Sequence, residues 1–531
     1  MYTEGNIYMG LADGQRVTMQ LNMSNRHGLI AGASGTGKTI TMKAMAESFS
    51  DAGVPVFLCD IKGDVSGLAM PGAESEGMEK RIDKFGIRDS FTYKGYPVCF
   101  WDIYGKGGHP VRATVSDMGP DILARVLDLT PAQEGVLDVV FRIADDKGLL
   151  LLDLKDLRAL LGYVNEHREE YQLVYGNISP QSVGGILRAL LPLEAQGGDK
   201  FFGEPALDIF DWIKTDSAGK GVVNLLNCVK LVQNPTLYAS FMLWMMAELF
   251  ERLPEAGDLE KPKLVFFFDE AHMLFSDAPK VLVQKIEQMV KLIRSKAVGI
   301  YFVTQSPRDI PDGVLAQLSN RVQHALRAYT PSEQKAVKAA AQSLRTNPAF
   351  KAEDVIMELG VGEALTSFLD ENGVPGMAQR TSIICPQSLM GPVDDKVRVE
   401  MMGQDGMDKY DFMVDNESAY EILISQREKE TEQAKLAAER AQLEKEKAEF
   451  EKQKAKEEEA VRKKQEREEE AERKKQEREE EAERKKKEKE EEAARKKQEA
   501  AAERRKNQIE RQLINTGAQV LKRGLFKTLF K

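Results

Sequence analysis

The chain has 531 residues, of which 42% are hydrophobic and 30% charged, with a formal net charge of −10. That length exceeds one ordinary domain, and the hydrophobic share supports a sizeable core. The acidic balance argues against constitutive nucleic-acid binding through a basic surface, although a ring can carry a basic channel inside an acidic exterior.

Residues 1–31 read as a strand and hairpin segment: IYMG, then Asp13-Gly14, then RVTMQLNM. LIAGASGTGKT follows as strand, glycine-rich loop and helix start, with the next strand at Val54–Cys59. Residues 32–64 thus form a βαβ unit, and the parallel pairing requires a crossover helix. Residues 65–216 show apolar positions at helical spacing, as in LTPAQEGVLDVVFRIADDKG, and read as a mainly helical insertion. The core resumes over 217–390 with GVVNLLNC, a helix over 235–252, LVFFFDE, a helix over 280–297 and GIYFVTQ. EALTSFLD, Asn372-Gly373 and RTSIICP suggest a closing hairpin. Near-continuous apolar strands alternating with helices predict an α/β fold with a predominantly parallel sheet covered on both faces.

From 417 to 512 the chain is predicted as a long charged helix or coiled coil. Leu436, Leu443 and Phe450 recur every seven residues, and RKKQEREEEAE repeats every eleven from Arg462, Arg473 and, altered, Arg484. Glu470 to Lys474 and Glu481 to Lys485 are i,i+4 pairs in the favourable order. A single solvated helix and one strand of a weak coiled coil both fit this composition, and an eleven-residue period implies a right-handed supercoil. A fully helical 417–512 would span on the order of 140 Å. Residues 513–531 form a basic amphipathic tail, with Leu525, Phe526, Leu529 and Phe530 on one face among Lys522, Arg523, Lys527 and Lys531. It suits a protein partner, a membrane surface or its own oligomer.

Cys59, Cys99, Cys228 and Cys385 form no CxxC pair and read as buried reduced thiols. The N-terminus has neither a basic start nor an apolar run, and the stretch 237–249 is too short to span a bilayer. A cytoplasmic location is expected.

Gly32-Ala33-Ser34-Gly35-Thr36-Gly37-Lys38-Thr39 fits GxxxxGK[ST] between a strand and a helix. Such a loop turns its N–H groups toward phosphate oxygens at the positive end of the helix. Lys38 is expected on the β and γ phosphates and the Thr39 hydroxyl on Mg²⁺. The second half of the site is an acidic pair ending a buried strand: Asp269 as Mg²⁺ ligand and Glu270 to position the attacking water. ATP and Mg²⁺ are the expected cofactors. Gln305, ending IYFVTQ, is read as a γ-phosphate sensor, with an ordinary loop glutamine as the alternative. Asp60 lies on the same strand edge, either supporting the metal or capping a turn. His272 reads as a packed or solvated imidazole.

GASGTGKT, LCDIKGD, FFFDEAH, VTQSP and SNRVQHALRAYTPSEQ together resemble the HerA/FtsK superfamily of P-loop ATPases, in its HerA-like bacterial (YjgR-type) branch. The resemblance covers about residues 1–390. It implies a RecA-like core and a ring of identical subunits, usually a hexamer. It also implies an arginine reaching a neighbour's site, for which Arg327 and Arg321 are the candidates. The family carries a β-barrel before the loop, whereas 31 residues precede Gly32 here, so the barrel is expected to be absent or reduced to a hairpin. Three functions follow: a motor translocating duplex DNA, an ATPase moving or assembling protein at a membrane or complex, and an ATP-switched interaction protein using its helical tail.

Overall fold

Residues 1–257, 259–275 and 280–484 are described by the computed structural model of the protein. Within them β1 (Tyr2–Thr3), β2 (Asn6–Ala12), β3 (Gln15–Gln20), β4 (Gly28–Ala31), β5 (Val56–Asp60) and β6 (Val98–Trp101) precede the middle of the chain. They are followed by β7 (Val223–Asn227), β8 (Leu264–Phe268), β9 (Val298–Thr304), β10 (Asn320–His324), β11 (Glu363–Ser367) and β12 (Gln379–Ile383). All join one sheet in the order β1-β2-β12-β11-β10-β4-β9-β8-β5-β7-β6, with β3 on β2. Every pairing from β10 to β6 is parallel. The other end, from β10 through β11 and β12 to β2, is antiparallel. The fold is α/β with a mixed, predominantly parallel sheet.

The central parallel strands β4, β9, β8 and β5 are apolar along nearly their whole length because both faces are covered. Phe57, Phe266, Phe268 and Phe302 face one core, shared with helices between Val115 and Leu193 and with helix Pro235–Arg252. Val56, Leu58, Val265, Phe267 and Val303 face the other, against Met42, Met45 and Phe49 of helix Lys38–Asp51. Thr114 and Thr130 close the starts of two helices in the first group with reciprocal capping boxes. The stretch 65–216 also supplies β6, which pairs in parallel with β7 at the sheet's end.

The Asp13-Gly14 turn has both residues in the left-handed region, as a two-residue hairpin requires. β2 reaches the sheet through β12, where a Cβ on Gly10 would lie 1.9 Å from the Ser382 carbonyl oxygen. The hairpin expected near Asn372-Gly373 is β11–β12.

Contacts divide the chain after Ser425. Before it, the chain returns from β12 across the sheet, and Glu47 accepts the Gln387 and Ser388 N–H groups. His109, 1% exposed, is held between Asp411 (Nδ1 to Oδ1 2.6 Å) and Asp405 (Nε2 to Oδ1 3.0 Å). The helix expected from Glu417 runs Ala419–Arg484. Along it Leu436, Leu443 and Phe450 are about half exposed, at 50%, 55% and 49%. Lys463 pairs with Glu459 at 2.5 Å and Arg462 with Glu466 at 3.4 Å, both i,i+4. The repeat beyond Arg484 and the tail 513–531 lie outside the described residues, as do the side chains of Lys474, Glu481 and Lys485, so the pairs expected at Glu470–Lys474 and Glu481–Lys485 do too. Among the described residues no helix is long and apolar enough to cross a membrane.

Burial alone would lower the His109 pKa, but the hydrogen bonds and charges of Asp405 and Asp411 raise it above the ordinary value. A raised folded value contributes its stability in full below about pH 6.5 and loses it as pH rises through the folded value. His109→Gln is therefore expected to lower stability by on the order of 2 kcal/mol at about pH 6. The loss should shrink toward pH 9, read from urea midpoints. An equal loss at both pH values would remove the imidazolium charge from this account.

Candidate nucleotide site

The glycine-rich loop leaves β4 at the carboxyl edge of the sheet and enters helix Lys38–Asp51. Three backbone bonds fix its course: Gly32 N–H to Thr304 O (3.2 Å), Ala33 N–H to Ala325 O (2.9 Å) and Gly362 N–H to Thr36 O (3.1 Å). Gly37 precedes the helix at φ 114°, a conformation that disfavours side chains. A Cβ on Gly32 would lie 2.5 Å from the His324 Cβ. His324 is fully buried under the loop, its Nε2 2.8 Å from the Thr41 hydroxyl and its Nδ1 2.9 Å from the Glu363 carbonyl oxygen. Burial pulls its pKa to about 4, so it packs as a neutral ring. Lys38 Nζ donates to Gly32 O (2.7 Å) and Ala33 O (3.1 Å). Burial lowers the Lys38 pKa, and the charges of Glu270 and Asp269 oppose that. Thr39 sits half-buried in the first helical turn.

β9 separates β4 from β8, so Asp269 and Glu270 stand one strand away from the loop. Asp269 is 2% exposed and its Oδ1 accepts the Glu270 N–H (2.9 Å). Its Oδ2 is buried without a hydrogen bond among the described residues. Burial pushes the Asp269 pKa up to about 6, against the pull of Lys62. Glu270 has a left-handed backbone (φ 46°, ψ 47°), and its Oε1 is 2.6 Å from Lys62 Nζ. Its Oε2 is 3.3 Å from His272 Nδ1. Burial would raise the Glu270 pKa, but the hydrogen bond and charge of Lys62, with His272 and Lys38, hold it below the usual value. Asp60 accepts the Gly63 (2.7 Å) and Val65 (3.2 Å) N–H groups, which is the turn-capping role. No cluster of three His, Cys, Asp or Glu side chains suited to a metal occurs among the described residues. The donor set fits Mg²⁺ all the same. That ion takes one or two protein oxygens and completes its shell with phosphates and water, and Asp269 Oδ2 is a buried oxygen lacking a partner.

Residues 9–531 match the family described as helicase HerA-like C-terminal. The chain belongs to this family. That membership places it among the HerA/FtsK-type ATPases. No curated protein matches it. Among solved structures it is similar to the bacterial conjugative coupling protein TrwBdeltaN70, at 13% identity, covering 72% of this chain and 90% of that one, with a TM-score of 0.48. TrwB in complex with the non-hydrolysable GTP analogue GDPNP gives 13%, 73%, 92% and 0.49. VirB4 of Thermoanaerobacter pseudethanolicus gives 16%, 72%, 97% and 0.44.

Of the remaining positions singled out in this HerA-like chain, Gln305 and Arg327 follow the carboxyl ends of β9 and β10, whereas Arg321 lies near the amino end of β10, opposite Leu29. Gln305 is exposed and directly follows Thr304, whose carbonyl holds Gly32. Arg321 and Arg327 differ sharply. Arg321 donates to three carbonyls of its own chain: Leu318 (2.9 Å), Ser343 (2.5 Å) and Leu315 (3.0 Å). Arg327 is exposed and donates to Met357 O at 2.8 Å. Sequence reasoning missed His324 and Lys62. The first lay inside SNRVQHALRA and the second inside LCDIKGD, and both matter through strand neighbours far away in the chain.

Gly32→Ala is expected to force the loop off its course, because the obstructing atom is a Cβ on the neighbouring strand and not a flexible side-chain end. Nucleotide affinity measured by calorimetry should fall at least about tenfold, with the fold intact by circular dichroism. Unchanged affinity would show that the loop relaxes freely.

Proposed function

We propose that this HerA-like protein is an ATP-hydrolysing ring motor whose track is duplex DNA. In this reading the Gly32–Thr39 backbone and Lys38 hold the triphosphate, and Thr39 and Asp269 hold Mg²⁺. Glu270 orients the attacking water, and Gln305 reports the γ-phosphate. Arg327 of one subunit stabilises charge in the next subunit's site. Bound Mg²⁺ would polarise the transferring phosphoryl group.

The observation carrying this reading is the placement of the loop and the Asp269–Glu270 pair on either side of β9, at one sheet edge. The contrast between the two arginines supports Arg327: the donors of Arg321 are engaged within its own chain. The four free, buried cysteines support a reducing, cytoplasmic setting. A protein load is the second reading. It is supported by the half-exposed Leu436, Leu443 and Phe450 on a charged helix that the nucleotide edge does not need.

Turnover per subunit is expected to rise with protein concentration, as a site shared between subunits demands. Duplex DNA should stimulate it several-fold, and salt raised from about 50 to 200 mM should suppress that stimulation. Absence of stimulation at low salt would remove DNA and leave the protein load. Glu270→Gln should bind ATP normally and lose at least about 100-fold in turnover. Arg327→Ala should lose turnover while keeping affinity, and mixing it with a Lys38→Ala chain should restore part of the rate. If Arg321→Ala does so instead, the trans assignment moves to Arg321.

A further inference from the structure

The segment Ile61–Val65 has so far no part in the chemistry. β5 and β8 are parallel neighbours, with Cys59 opposite Phe268, so the turn after β5 lies beside Asp269 and Glu270. Asp60 fixes that turn through the Gly63 and Val65 N–H groups. Lys62 emerges from it and reaches Glu270 Oε1 at 2.6 Å.

We infer that Lys62 is a positioning residue that fixes the Glu270 carboxylate so that its second oxygen meets the attacking water. The inference rests on the ATPase reading above. Two features favour it over a merely structural ion pair. The Lys62 side chain is 44% exposed against 9% for Glu270, so solvent screens the lysine end and limits what the pair adds to stability. The partner carboxylate, in contrast, is buried and unevenly held: Oε1 meets Lys62 at 2.6 Å, while Oε2 makes no hydrogen bond among the described residues and only the looser 3.3 Å ion-pair contact with His272 Nδ1. A carboxylate that orders a water must offer one oxygen in one direction. Lys62 prevents rotation of the group, and the left-handed backbone at Glu270 sets the direction from which it emerges. Lys38, Asp269 and Asp64 complete the charges around this pair, and Asp269 Oδ1 accepts the Glu270 backbone N–H.

The test uses the full chain with Lys62→Met, which keeps side-chain length and removes the charge, and Lys62→Arg. Steady-state ATP hydrolysis, affinity for a fluorescent ATP analogue and thermal midpoint are measured together. Lys62→Met is expected to lower kcat about tenfold or more, with KM and analogue Kd within about twofold and the chain still folded at the assay temperature by its thermal midpoint. Lys62→Arg should recover most of the loss. Unchanged kcat in Lys62→Met overturns the inference. A rise in KM and Kd with kcat retained also overturns it, since Lys62 would then be a ground-state phosphate ligand. A rise in kcat overturns it too, because the ion pair would then be a brake. Full turnover in Glu270→Gln sinks the ATPase assignment of Glu270 and the inference with it. Loss in Glu270→Gln together with wild-type rates in Lys62→Met sinks the inference alone.

Discussion

A parallel sheet delivers every strand's carboxyl end to the same edge, and in this protein everything chemical depends on which strands lie side by side there. The order β10-β4-β9-β8-β5 sets the glycine-rich loop, Gln305, the Asp269–Glu270 pair and the Asp60 turn in sequence along one line. The constraint is hydrophobic as much as topological. Phe57, Phe266, Phe268 and Phe302 on one face and Val265, Phe267 and Val303 on the other fill the central strands β5, β8 and β9 with apolar side chains. Polar groups collect where the strands end, and the backbone groups freed there hold the loop, as Thr304 O holds Gly32 and Ala325 O holds Ala33.

Burial then makes that edge electrostatically demanding. It lowers the Lys38 pKa and raises that of Asp269 to about 6, so each charge there is poorly solvated and relies on the others. Lys62 satisfies Glu270 but only weakens the pressure on Asp269. A triphosphate would supply negative charge beside Lys38, and a divalent cation would supply positive charge beside Asp269 Oδ2. The two together relieve opposite deficits, and either alone would relieve only one. This is why an Mg²⁺-nucleotide suits the edge better than a free anion.

Much of this was legible in the sequence, for local reasons. The loop motif carries its own strand and helix, and LVFFFDE announces a buried strand ending in acid. The hairpins declared themselves through Asp13-Gly14 and Asn372-Gly373. What was not legible depends on neighbours that the chain does not place nearby. Lys62 touches Glu270 because β5 and β8 share a register, and His324 lies under Gly32 because β10 borders β4. Neither adjacency has a local signal. β6 sat among helical segments, and only its apolar run PVCFWD marked a strand at the sheet's end. Asp60 had two readings by type, and the two N–H groups it accepts decide for the turn.

The two arginines show how the inventory of donors separates roles that sequence leaves equal. Arg321 lies on β10 opposite Leu29 and Ser367, and its side chain turns back onto the carbonyls of Leu315, Leu318 and Ser343. Burial even lowers its pKa, without a carboxylate to offset the cost. Moving that guanidinium onto a phosphate would strip three carbonyls of their donor, at a cost of about 1 kcal/mol or more for each one left buried. Arg327 gives up one exposed bond to Met357 O, a carbonyl that water can satisfy in its place. The asymmetry makes Arg321 a strut of the β10 end and makes Arg327 the less costly of the two to redeploy in the role proposed for it.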